Sequence, residues 1–133
     1  MASRAGPPVP RGVIKTQRSL GDLRTGPRYS ESCIHAGTVY LAGQVPTDQA
    51  NDIEGQTREV LGLVDCLLAE SGSSEQQLLM VQIFLANMED YAGMNSAWDE
   101  WVPKGRAPCR ATVQARLADP DWCIEIVAPA AVA

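Results

Sequence analysis

The 133 residues suffice for one domain with a sizeable core, and no apolar run approaches the roughly 18 residues of a membrane span. The net charge of −5 is uneven, because residues 1–28 carry six Lys or Arg and one Asp, whereas residues 29–133 carry five Lys or Arg and fifteen Asp or Glu. An acidic body is a poor nucleic-acid surface, so we do not expect a nucleic acid as partner, and the lack of a long apolar run argues against a membrane. Four scattered cysteines and a single histidine argue against a metal site and for free thiols in a reducing, cytoplasmic compartment.

The chain opens on a proline-rich segment, residues 1–11, that has no apolar period. Its arginines and its lack of acids are shared with organelle transit peptides, but three prolines would disrupt the amphipathic helix that such a signal needs. We predict a disordered extension over residues 1–11 and a single domain over residues 12–133. A chain that starts at Gly12 is expected to keep its assembly and its activity. Val13–Arg18 is a candidate edge strand.

Strand and helix patterns alternate along the middle of the chain. Short runs around the turn residues Ala36-Gly37 predict a hairpin, and an i, i+3/i+4 apolar stripe that begins after Asn51 predicts a helix. A nearly continuous apolar run predicts a central strand that is covered on both faces. A second stripe, with Asn87 as its cap candidate, predicts another helix. The predicted elements are strands Ser32–His35 and Thr38–Leu41, a helix that ends at Gly72, strand Leu78–Ala86 and helix Met88–Val102.

The stretch Ala107–Val127 alternates with period two on both sides of an Asp/Pro-rich break, which predicts two antiparallel strands joined by a short loop. One face of the first strand then carries core residues, namely Cys109, Ala111, Val113, Ala115 and Leu117. If Leu117 lies opposite Trp122, Glu125 joins the face of Arg110 and Thr112. A carboxylate in so apolar a run needs either a partner or a function.

The order of the elements predicts an α+β fold with a mostly antiparallel sheet and two helices on one face. No element is left for the other face of the sheet, so another copy of the chain is the candidate to cover it. Asn95 falls within the apolar stripe of the second helix, and a tie to a neighbouring loop is the expected use of this amide.

Five short motifs follow one another along the chain: Gly43-Gln44-Val45-Pro46, Gln56-Thr57, Asp90-Tyr91-x-x-x-Asn95-x-x-Trp98, Ala107-Pro108-x-Arg110-x-x-Val113 and Ile124-Glu125-Ile126. In this order they resemble the RidA/YjgF family, and Ile83–Ala86 with Thr112–Ala115 is most similar to its YoaB-like branch. The resemblance covers the chain from about Tyr29 to its end.

The resemblance implies a chorismate-mutase-like, or YjgF-like, α+β fold assembled as a homotrimer with a central barrel and ligand clefts between subunits. It implies hydrolytic deamination of reactive enamine and imine intermediates, such as 2-aminoacrylate, to 2-keto acids and ammonia. It further implies that no metal and no organic cofactor take part.

The resemblance also implies two catalytic residues. Arg110 stands at the family's carboxylate-binding arginine, and a planar two-pronged donor suits that group. Glu125 stands at the glutamate that positions or activates the attacking water. The alternatives are that Arg110 pairs with an acid of a neighbouring subunit and that Glu125 only orients Arg110.

Three further residues are implied to line the cleft. Tyr29 matches the family's cleft tyrosine or is a packed interface aromatic, and Gly43 offers backbone groups to a ligand. Thr112 replaces the family's cysteine and Ala42 replaces its serine, so the substrate range is open. Two other functions also remain open: a trimer that binds small carboxylates without turnover, and an RNA-cleaving or translation-inhibiting activity.

Overall fold

A computed structural model of the protein describes residues 15–17 and 28–132. The predicted disordered extension, residues 1–11, lies outside the described residues. The described strands and helices are β1 (Lys15–Gln17), β2 (Ser32–His35), β3 (Thr38–Leu41), α1 (Ile53–Glu70), β4 (Met80–Leu85), α2 (Tyr91–Trp101), β5 (Cys109–Gln114), β6 (Ile124–Val127) and β7 (Pro129–Ala131). Short 3₁₀ turns at Glu75–Gln77 and Met88–Asp90 precede β4 and α2.

The predicted hairpin is confirmed at both ends by β2 and β3, which pair antiparallel from Ser32↔Leu41 to His35↔Thr38. Ala36 and Gly37 both have positive φ, at 51° and 81°. Two such residues in a two-residue loop match the right-handed twist of the flanking strands. The predicted edge strand is represented by β1, which pairs antiparallel with β2.

The described strands form two sheets, β1-β2-β3-β7 and β5-β4-β6, which isolated bridges connect at Gln44↔Ile126 and Leu78↔Ala130. α1 packs against α2, β3 and β6. The hydrophobic core lies between helices and sheet, with fully buried side chains at Val39, Val60, Leu67, Leu68, Ile83, Leu85, Met94, Ile124 and Ile126. The predicted α+β class is confirmed, with one parallel pair among otherwise antiparallel strands.

The predicted helices are present with small shifts at their starts. Asp52, not Asn51, caps α1, since its side chain accepts a hydrogen bond from the Gly55 backbone. Asn87 does act as a cap, but for the 3₁₀ turn that leads into α2, where it accepts from the Glu89 backbone N–H.

The predicted direct pairing of the last two long strands is wrong, because β4 lies between them. β4 pairs parallel with β5 and antiparallel with β6. A helix between two strands is long enough to return the chain to the same end of the sheet, so β4-α2-β5 forms a parallel crossover unit. The Asp/Pro-rich segment 115–123 then connects β5 to β6, which lies on the other side of β4 in the sheet. The short strand β7 was not predicted.

The predicted faces of β5 are also wrong. Cys109, Ala111 and Val113 are exposed, whereas Arg110 and Thr112 lie beside buried Val81 and Ile83 of β4 on the helix-covered face. Glu125 pairs with Phe84, and Phe84 pairs with Val113. Because directly paired residues share a face, Glu125 lies on the face opposite Arg110 and Thr112.

Only one face of the central strand β4 is covered by this chain's described helices. Val81, Ile83 and Leu85 are buried, while Gln82 is exposed and Met80 and Phe84 are half-buried on the other face. We call this second face of β5-β4-β6 the open face; it carries Met80, Gln82, Phe84, Cys109, Ala111, Val113, Glu125 and Val127.

Candidate active site

Arg110 is held rigidly at the edge of the β5-β4-β6 sheet. Its Nη1 donates to Asn95 Oδ1 at 2.8 Å, and its Nη2 donates to the Tyr91 hydroxyl at 3.0 Å. The guanidinium also lies 5.0 Å from the ring centre of Trp98 and 5.8 Å from that of Tyr91. Cation–π contacts and two hydrogen bonds restrict its rotamers, so the group is pre-organised for a ligand.

The partners of Arg110 come from one face of α2. Tyr91, Asn95 and Trp98 are spaced four and three residues apart, which aligns them on one stripe of a helix. The expected tie of Asn95 to a neighbouring loop is therefore wrong: its partner is the Arg110 side chain on a strand. An amide within an apolar stripe was the sequence signal, but it did not identify the partner.

Arg110 has no carboxylate partner within the described part of the chain. Both of its hydrogen-bond acceptors are neutral, and the ion pairs found there join Arg58 to Glu54 and to Glu100. A guanidinium has further N–H donors beyond the two in use. Arg110 therefore keeps an uncompensated positive charge and free donors, which is what a carboxylate ligand requires.

Glu125 lies against Gly43. A Cβ placed on Gly43 would be 2.0 Å from Glu125 Oε2, so only glycine leaves room for this carboxylate. The contact is fixed by backbone bonds on either side, since Gln44 N donates to Ile126 O at 2.8 Å and Ile126 N donates to Gln44 O at 3.0 Å. Burial raises the pKa of Glu125 above that of an ordinary glutamate. A carboxyl with a raised pKa is better suited to accept a proton from water.

Gln56 organises the backbone that leads into β6, and we did not predict this role. Its side chain is buried; Oε1 accepts from Cys123 N at 2.7 Å, and Nε2 donates to Asp121 O at 3.2 Å and Asn51 O at 3.1 Å. The start of α1 is thereby tied to the segment that ends two residues before Glu125. A buried polar residue in the apolar stripe of α1 was the available sequence signal.

Tyr29 and Thr112 differ in how accessible they are. Tyr29 is about half exposed, at 48%. Thr112 lies on the same face as Arg110, and its hydroxyl oxygen is buried, with no hydrogen-bond partner among the described residues.

The five predicted site residues do not form one cluster in a single chain. Gly43 contacts Glu125, and Arg110 shares a face with Thr112, but the Arg110 and Glu125 groups lie on opposite faces of one sheet. A cavity of about 680 Å³ among the described residues is lined by none of these five. Its lining residues are Ala86, Gln114, Ala115, Arg116, Leu117, Ala118, Asp119, Pro120 and Trp122.

The described residues hold no candidate metal cluster and no helix that could span a membrane. In residues 15–17 and 28–132, no three His, Cys, Asp or Glu side chains are close enough together to hold a metal ion. Across the same residues, neither helix has the length and apolar character needed to cross a bilayer.

The fold is that of YjgF proteins. A YjgF family member from Neisseria meningitidis superimposes with a TM-score of 0.81 at 41% identity, covering 91% of this chain and 96% of that one. The sequence profile of the family described as Endoribonuclease L-PSP matches residues 22–132. The chain belongs to this family, which is also the RidA/YjgF family that its motifs resemble.

Several of the curated relatives carry RutC names. A RutC family protein of Haemophilus influenzae is 57% identical over 75% of this chain and 87% of its own length. The RutC family protein YoaB of Escherichia coli is 44% identical over 79% of this chain and 91% of its own length. A more distant relative, the 3-aminoacrylate deaminase RutC of Acinetobacter baylyi, is 36% identical over 71% and 79%.

Proposed function

We propose that the protein hydrolyses reactive enamine and imine intermediates of the 2-aminoacrylate type to 2-keto acids and ammonia, without a metal or an organic cofactor. The observation that carries the proposal is Arg110, a pre-organised guanidinium whose partners are neutral. Its free donors suit the carboxylate that an amino-acid-derived imine carries. The name of the Acinetobacter baylyi relative, 3-aminoacrylate deaminase, supports the same class of reaction.

The reaction needs a carboxylate anchor and a base. Arg110 holds the carboxylate of the imine, while the Glu125 carboxylate removes a proton from water as the water oxygen forms a bond to the imine carbon. The electron pair of the C=N bond passes to the nitrogen of the protonated imine, which gives a carbinolamine. Glu125 returns its proton to this nitrogen, the C–N bond breaks, and ammonia leaves. The carbonyl of the 2-keto acid forms as the hydroxyl proton is lost. An enamine enters this sequence after it tautomerises to the imine.

Two copies of the chain supply the two halves of each cleft in this proposal. Arg110 lies at a sheet edge towards α2, and Glu125 lies on the open face, which favours a cleft to which two chains each supply one of these groups. The open face also leaves Val113 47% exposed and Phe84 half-buried, which favours a cover of matching apolar surface. A homotrimer would cover the open face and bring the Glu125 of one subunit towards the Arg110 of the next.

Imine-hydrolysis rates test the proposal directly. Arg110→Ala is expected to lose nearly all activity towards amino-acid-derived imines, and Arg110→Lys to lose much of it, because an ammonium keeps the charge but not the two-pronged geometry. Glu125→Gln is expected to keep 2-keto acid binding while turnover falls. Light scattering is expected to give a trimer for wild type and for all three variants.

Other outcomes would select another function. Wild-type protein that binds 2-oxobutanoate but leaves imines intact would be a small-carboxylate binding trimer. Full activity in Arg110→Ala would overturn the deaminase proposal. The family's description names an endoribonuclease, but residues 29–133 carry five basic and fifteen acidic side chains, which disfavours an RNA surface. Cleavage of RNA that Arg110→Ala abolishes would contradict this view.

A further inference from the structure

We infer that Tyr91 is a second carboxylate-binding residue of the proposed cleft and that it sets the preference for acids over uncharged ligands. The inference rests on the proposed role of Arg110. Tyr91 is the first residue of α2, and its hydroxyl lies 3.0 Å from Arg110 Nη2.

The direction of this hydrogen bond leaves a donor free. A guanidinium can only donate, so the Tyr91 oxygen is the acceptor. The phenol keeps its own O–H, and we find no second hydrogen bond of this hydroxyl among the described residues. Arg110 and Tyr91 therefore present adjacent donors that can bind the oxygens of one carboxylate.

The position of Tyr91 makes its hydroxyl accessible. Its residue surface is 41% exposed, whereas Trp98, the other ring against Arg110, is 6% exposed. Asn95, which holds the other nitrogen of Arg110, is half-buried. Tyr91 is thus the most exposed of the residues that contact the guanidinium, and its hydrogen bond with Arg110 lies at the exposed surface.

A hydrogen bond to a charged group contributes enough binding free energy for its loss to be measured. Removing the Tyr91 hydroxyl is expected to weaken the binding of a carboxylate ligand by about ten-fold or more. The ring stays in Tyr91→Phe, so its cation–π contact with Arg110 is retained. The expected kinetic effect is a higher KM for the imine with a smaller change in kcat, because the carboxylate is held in both the ground state and the transition state.

Calorimetric titration with 2-oxobutanoate and with its uncharged amide separates binding from structure. Tyr91→Phe is expected to bind 2-oxobutanoate about ten-fold more weakly than wild type and to bind the amide as wild type does. Tyr40→Phe is the matched control, because Tyr40 is 53% exposed on β3, which belongs to a different sheet from the strand that carries Arg110. Its affinities should equal those of wild type.

Several results would overturn the inference. Equal affinity of wild type and Tyr91→Phe for 2-oxobutanoate would exclude the contact, as would a wild type that binds no 2-oxobutanoate. Equal weakening for the acid and the amide would show a structural role only. Failure of the proposed function looks different, since wild type would then leave imines intact while the Tyr91→Phe titrations still report on carboxylate binding.

Discussion

Gly43 and Glu125 are so close that the residue type at position 43 controls where the carboxylate lies. In Gly43→Ala the new Cβ would be 2.0 Å from Glu125 Oε2, so the end of a flexible side chain must shift. The shift costs little stability, but it displaces the proposed base. We expect the variant to fold and assemble while imine hydrolysis falls by about 100-fold, as a displacement of about an ångström can cause.

The matched control for this change is Gly62→Ala. Position 62 lies within α1, and an added Cβ would meet nothing within 4 Å. Alanine favours a helix interior by about 1 kcal/mol over glycine, so the free energy of unfolding should rise while the hydrolysis rate stays the same. Wild-type activity in Gly43→Ala would contradict the assigned role of Glu125.

The raised pKa of Glu125 makes the stability of the protein depend on pH. Burial raises this pKa, so the folded protein binds the proton more tightly than the unfolded chain, where glutamate titrates at about 4.3. The free energy of unfolding therefore falls as the pH rises from below the unfolded pKa to above the folded one.

The Glu125→Gln variant has no carboxyl group at this position to titrate, so it does not lose this part of its free energy of unfolding. It should be more stable than wild type near pH 7, with a difference that shrinks as the pH falls towards about 4, in urea denaturation. A stability difference between Glu125→Gln and wild type that is the same at both pH values would refute the raised pKa of Glu125.

At the scale of elements, Gln56 connects the start of α1 to the segment that enters β6. Gln56→Leu removes three hydrogen bonds and leaves the Cys123 N–H without its acceptor. An unsatisfied buried group costs about 1–3 kcal/mol, so we expect at least about 2 kcal/mol of destabilisation in urea denaturation. Gln49→Leu removes an exposed hydrogen bond to Asp119 and should change stability by less than about 0.5 kcal/mol. Equal effects would show that the Gln56 bonds do not hold the segment.

At the scale of the whole molecule, the two sheet faces predict complementation between inactive variants. If each cleft takes Arg110 from one subunit and Glu125 from the next, Arg110→Ala and Glu125→Gln subunits can form an intact cleft together. Random mixing of equal amounts in a homotrimer would make roughly a quarter of all clefts intact. Co-expressed, purified mixed trimers should recover about that share of wild-type imine hydrolysis. No recovery would place both residues in the cleft of a single subunit.

Local patterns in the sequence were sufficient to predict the hairpin and the two helices. The Ala36-Gly37 turn, the Asn87 cap and the apolar stripe of α1 each depend on residues within a few positions of one another, so hairpin and helices were predicted with boundaries close to those observed. The short strand β7 escaped prediction because Pro129–Ala131 has small residues without an alternating pattern.

The sequence by itself determined the class of fold, the two helices and the residues that carry the family's motifs. Only the tertiary structure decided the strand order and the face on which each motif residue lies. Alternation shows that successive residues of a strand differ in face, but not which face the helices cover. The face on which each residue lies depends on partners that are distant in sequence. Asn95 and Tyr91 of α2 accept hydrogen bonds from Arg110, and Gly43 leaves space for Glu125. The separation of Arg110 from Glu125 therefore follows from packing between distant segments, which no local pattern encodes.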